Sequence, residues 1–175
     1  ASEAAALGRS WDYAAAKRQL AGILTEFLAR TLALHKIKES EIDTVARDAL
    51  RRVELIMAMQ TVEHFARYCD GGNVVQKKSA FLMGILRGQE FHWKNSAAAR
   101  AAEGGAAQIL NLHPRLLLKM AHLIMDSNCE ALDFSPDVCL QLSRMDVEMA
   151  IRSVLDFDSN KRIAAGPERG GVGNR

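Results

Sequence analysis

One stretch of this chain occurs twice. Residues 50–65 align with residues 142–157 at a constant offset of 92, with six of the sixteen positions identical and several more alike in chemical type. The same offset, without gaps, pairs Leu20, Leu24 and Ala29 with Leu112, Leu116 and Ala121. Two amphipathic helices can agree by chance over one stretch; agreement at one offset over two stretches implies duplication of a structural unit. The organisation expected is a first helical unit over 1–95, a linker over 96–108, a second and shorter helical unit over 109–158, and a disordered tail over 159–175, where glycine replaces apolar residues.

Both units read as all-α, because no segment alternates with period two over a useful length. A compact helical bundle of about seven helices is expected. Ser10 is placed to cap a helix running to about His35, with Leu20, Ile23, Leu24, Phe27, Leu28 and Leu32 on one face. Ser40 with Asp43 resembles a capping box for a helix through Leu50. A third helix runs from about Val53 to Tyr68, carries Leu55, Met59, Val62 and Phe65 inward, and stops at Gly71-Gly72. Asn95 or Ser96 caps an alanine-rich segment. His113-Pro114 and Ser135-Pro136 each open a helix, since proline at the first helical position gives up an N–H that has no partner there. The last helix covers about Asp146 to Phe157.

Composition excludes several classes. The longest apolar run, Leu55-Ile56-Met57-Ala58-Met59, is far shorter than the roughly 20 residues a bilayer span needs, so no membrane association is expected. Cys69, Cys129 and Cys139 form no CxxC pair and leave one thiol over, which points to buried thiols in a reducing, intracellular compartment: nucleus, cytoplasm or an organelle. The opening residues, rich in alanine and carrying Arg9, Lys17 and Arg18, have a transit-peptide composition, yet Trp11 and Tyr13 lead straight into a helical pattern; they read as folded or as the edge of a fragment. Formal charge is only +2, but residues 67–100 hold six Lys/Arg against Asp70 and Glu90, while 126–158 hold eight acids against Arg144 and Arg152. A basic surface that attracts phosphate and an acidic one that suits a basic partner follow, unless both are merely solvated faces.

The sharpest local chemistry lies at 76–87. Ser79 is a natural N-cap for a helix beginning at Ala80, with Lys77 and Lys78 just outside it. Phe81, Leu82, Ile85 and Leu86 form one apolar stripe, and Gly84 interrupts the helix at a cost of about 1 kcal/mol, which suggests that another backbone comes close there. These residues carry a resemblance. Val62 to Phe65, a loop with Val74 or Val75, and then Lys78-Ser79-Ala80-Phe81-Leu82-Met83-Gly84-Ile85-Leu86-Arg87 look like the acidic domain at the N-terminus of heterogeneous nuclear ribonucleoproteins Q and R, with Lys77 where that family usually has Asn. Leu112-His113-Pro114-Arg115-Leu116 and Leu132-Asp133 resemble the opening half of the same domain, as a duplication would produce. The resemblance implies a compact helical module that contributes to RNA recognition within a ribonucleoprotein, here without the aromatic RNP strands of an RNA-recognition motif.

An RNA site needs cations for phosphates and planar groups for bases. Lys77, Lys78, Arg87, His92, Trp93, Lys94 and Arg100 are the candidates, and Arg51, Arg52 and Arg67 would extend the patch. The competing reading makes Lys77 and Lys78 loop solvation and Trp93 a core anchor. No catalytic or metal-ligand spacing occurs among His35, His64, His92, His113 and His122, so no enzyme, cofactor or metal is expected. The alternative function is a helical protein-interaction module, its methionines offering adaptable apolar surface.

Overall fold

The computed structural model describes residues 13–72, 74–126 and 128–165, with side chains placed over 14–157. Among these residues every regular element is helical: α1 Tyr13–Leu34, a 3₁₀ turn Glu39–Glu41, α2 Thr44–Arg52, α3 Leu55–Asp70, α4 Lys78–Lys94, α5 Ala97–Ala101, α6 Ala106–Leu110, α7 Pro114–Met125, a second 3₁₀ turn Ala131–Asp133, α8 Pro136–Arg144 and α9 Val147–Ala165. The seven longer helices are those the sequence outlines. The all-α expectation holds.

Residues 96–108, expected as a linker, instead carry α5 and most of α6. Ser96 caps α5 by accepting from the Ala99 N–H at 3.1 Å, and Gly105 turns the chain with φ +65° before α6. Both short helices bury small or aliphatic side chains (Ala98, Ala99, Ile109) and pack on α8. In the region expected to be tail, α9 continues through Ala165; the rest of that region and the expected cap Ser10 lie outside the described residues.

The offset of 92 also relates several of the regular elements. The 3₁₀ turns at 39–41 and 131–133 correspond, as do the nine-residue helices α2 and α8, whose N-caps Asp43 and Ser135 accept from Ala46 N–H at 2.8 Å and Val138 N–H at 3.4 Å. Asp43, not Ser40, therefore caps α2. Ile42 is the reason: to reach the core it needs an extended residue between the 3₁₀ turn and the helix. Each copy then breaks over two residues, the first of them extended, Val53 (φ −96°, ψ 166°) or Met145 (φ −87°, ψ 155°), before α3 and α9 begin at 55 and 147.

A single cluster of buried side chains takes members from both copies. The equivalent pairs Leu24/Leu116, Leu50/Leu142, Ala58/Ala150 and Val62/Val154 are all buried. α1 packs against its counterpart α7, α3 lies on α1, α9 on α7, and α4 lies across α3 and α2. Full burial of each large apolar side chain contributes about 1.5–3 kcal/mol, so this cluster supplies most of the stability.

Polar contacts set the register between the copies. α3 presents Gln60, Glu63 and Arg67 to the second 3₁₀ turn. The Gln60 amide donates to the carbonyls of Ala131 (3.0 Å) and Phe134 (2.8 Å), the Glu63 carboxylate accepts from the N–H groups of Ala131 (2.6 Å) and Leu132 (3.1 Å), and Arg67 pairs with Glu130. Burial holds the Glu63 carboxyl above the usual carboxylate range, against the opposing pull of its two N–H donors. Each neutral bond nets only about 1 kcal/mol, so this seam orients the copies more than it drives their association.

Candidate nucleic-acid interface

The basic stretch around α4 divides into structural and free halves. The helix begins at Lys78, two residues earlier than a Ser79 cap would allow. Ser79 is inside the helix, and its hydroxyl accepts from the Asp43 N–H at 2.8 Å while donating to the Glu41 carbonyl at 3.1 Å. Lys78 joins the same clasp through Glu41 at 2.9 Å and the Val75 carbonyl at 3.3 Å. That lysine holds the Glu41 carboxyl below its ordinary range. The Lys-Ser pair thus fastens α4 to the entrance of α2.

Trp93 is also structural. Its side chain is 1% exposed, and its indole N–H donates to Gln60 Oε1 at 3.0 Å, so it has no face to offer a base. Phe81, half-buried, packs against Phe65 and Tyr68 with ring centroids 6.1 and 4.5 Å apart. Leu82 and Leu86 are buried and Ile85 packs beside them.

The opposite face of α4 is open. Arg87 and Lys94 are exposed, and between them stands Phe91, 70% exposed, which the sequence reading did not single out. These three lie at i, i+4 and i+7, a single stripe on a helix. Ala80, Gly84 and Gly88 share that side and are exposed; a Cβ built on either glycine meets nothing within 4 Å. Among the described residues no neighbouring backbone approaches Gly84, contrary to expectation, because that face is exposed. Lys77, at the helix N-cap, and Arg100, on α5, are exposed as well.

The other expected cations contribute less. His92 is exposed but lies toward His64, whose imidazole is held below its ordinary value by burial and by the positive charges of Arg67 and His92. Arg67 is committed to Glu130 and Arg51 to Asp48 at 3.2 Å, while Arg52 is exposed at the end of α2. None of Lys77, Arg87, Lys94 and Arg100 enters an ion pair among the described residues.

Elsewhere, a cleft of about 710 Å³ lies between α1, α3 and α7. Its polar groups serve the fold: Arg30 donates to the Met125 carbonyl at 3.1 Å, His35 pairs with Asp70, and Glu63 and Arg67 belong to the seam. Cys129 and Cys139 are buried and Cys69 half-buried; burial pushes the Cys139 thiol up to about 12, which leaves it unreactive. Among the described residues no group of three or more His, Cys, Asp or Glu is placed to hold a metal ion, and no helix is long and apolar enough to cross a membrane. No protein-family model, curated protein or solved structure matches the chain.

Proposed function

We propose that the exposed face of α4 binds RNA, as a non-catalytic module working beside other proteins of a ribonucleoprotein. The observation that carries this reading is the stripe Arg87, Phe91 and Lys94: two cations outside every ion pair among the described residues flank an exposed ring, and Gly84 and Gly88 leave the adjoining backbone open. Cations at this spacing neutralise phosphates, the ring stacks on a base, and missing side chains let a sugar–phosphate chain lie close to the helix. Lys77 and Arg100 extend the positive surface. The resemblance of 77–87 to the helix of the ribonucleoprotein Q/R acidic domain points the same way.

The test is fluorescence anisotropy with a labelled, mixed-sequence single-stranded RNA over a salt series. The logarithm of the binding constant is expected to fall linearly with log salt, with a slope near −0.7 for each phosphate contacted. Arg87→Glu with Lys94→Glu should abolish binding in a protein whose circular dichroism is unchanged, and Phe91→Ala should weaken it by about tenfold, as loss of one stacked base does. Absence of binding at low salt, or binding indifferent to the double charge reversal, refutes the assignment.

A further inference from the structure

The two copies differ on one face: among the described residues a helix lies on the face made by α2 and α3, and none on the corresponding face made by α8 and α9. In the first copy α4 covers that face, held by Glu41 and Asp43 at its N-terminus and by Phe65 against Phe81. At the offset of 92 the same positions of the second copy form an open apolar groove of about 150 Å³ between α8 and α9, lined by Asp133, Val138, Leu142, Met145, Val154 and Phe157. These are the counterparts of Glu41, Ala46, Leu50, Val53, Val62 and Phe65. Coverage accounts for the contrast in exposure. Phe65 is 0% exposed and Phe157 44%; Ala46 is 1% exposed and Val138 38%. α5 and α6 pack on α8 but contribute no residue to the lining of the groove.

We infer that this groove is a docking site for an amphipathic helix of a partner protein with the chemistry of α4. Such a helix carries a Phe-Leu pair followed one turn later by two aliphatic residues, and a lysine in its first turn. The shape argument is the duplication itself, because the same backbone with matching residue types already holds such a helix in the first copy. The charge argument is independent: Asp133 stands where Glu41 meets Lys78, and exposed Asp137, Asp146 and Asp156 make the surrounding surface acidic, which suits a basic helix. Residues 166–175 include one aliphatic residue, Val172, and no aromatic, so they do not supply the occupant.

A synthetic peptide of residues 75–95 serves as the probe, since its sequence is the one the corresponding face is built to hold. Titrated into the full chain with methyl labels on valine and methionine, it is expected to bind saturably and to shift the signals of Val138, Met145 and Val154. Phe157→Asp and Val138→Asp alter exposed side chains, so the fold should survive, and each should weaken binding by about tenfold or more, as loss of an interface anchor does. A peptide with Phe81→Asp and Leu82→Asp should not bind. No saturable binding, or binding that both groove variants leave intact, overturns the proposal. Concentration-dependent dimerisation of the chain alone that Phe157→Asp abolishes also overturns it, by giving the groove to a second copy.

Discussion

Trp93 reaches the second copy of the repeat through Gln60. The indole donates to Gln60 Oε1 at 3.0 Å, and the nitrogen of the same amide donates to the carbonyls of Ala131 and Phe134 at 3.0 and 2.8 Å, all of it buried. One side-chain amide therefore satisfies a donor on α4 and two acceptors more than 70 residues further along the chain.

Gln60→Leu keeps the volume and removes three hydrogen bonds: the buried Trp93 N–H loses its acceptor, while the Ala131 carbonyl keeps the Phe134 N–H and the Phe134 carbonyl keeps only the weak Cys139 thiol. An orphaned buried donor costs about 1–3 kcal/mol, so a loss of about 2–3 kcal/mol is expected in urea unfolding. Trp93→Phe alone should cost less, and the double variant less than the sum of the singles, since the two residues share one bond. Strict additivity would contradict the connection.

Ser79→Ala removes a hydroxyl that serves one donor and one acceptor at the α2 entrance, and should lower stability by about 1–2 kcal/mol. Asp distinguishes this role from capping. An aspartate would serve as well as serine at an N-cap, whereas at this position it faces the Glu41 carbonyl, to which an ionised carboxylate has nothing to donate. Ser79→Asp is expected to be less stable than Ser79→Ala by thermal melting; rescue by Asp would restore the capping role.

Gly84→Ala and Gly88→Ala add a methyl group into open space on a helix. Each should raise stability by about 0.5–1 kcal/mol. If the RNA reading is right the same changes should weaken RNA binding, because the methyls stand where the sugar–phosphate chain lies. A firmer fold with undiminished affinity would place the contact elsewhere on the surface.

His64 gives a pH signature. Its imidazole is held below the ordinary value of 6.5, first by burial and then by Arg67 and His92. The folded chain thus binds this proton less readily than the unfolded one. The histidine's contribution to stability is complete above 6.5 and is lost as pH falls from there toward the lower folded value. NMR titration should find His64 ionising below 6.5, and His92→Gln should move it upward. No movement would mean that the two rings do not influence one another.

What was legible in the sequence was what local geometry decides. His113-Pro114, Ser135-Pro136 and the stripe Leu116, Leu117, Met120, Leu123 and Ile124 carry their signals within one or two turns, and the structure places them accordingly. The offset of 92 was legible because it needs no third dimension. Ser79 was misread because its partners, Glu41 and Asp43, lie 38 and 36 residues away, and Trp93 because Gln60 lies 33 residues back. In isolation both look like surface chemistry next to lysines. Phe91 had a readable signal: it stands between Arg87 and Lys94 on the face opposite Leu82 and Leu86, an aromatic where helical periodicity calls for polar residues.

The buried indole also makes the chain its own optical gauge. With Trp11 replaced by phenylalanine, emission would come from Trp93 alone, whose hydrogen-bond acceptor is held in place by carbonyls of the second copy. Loosening of that distant half would redden the emission before α4 itself had moved, so a single-tryptophan variant would report whether the halves melt together or in succession.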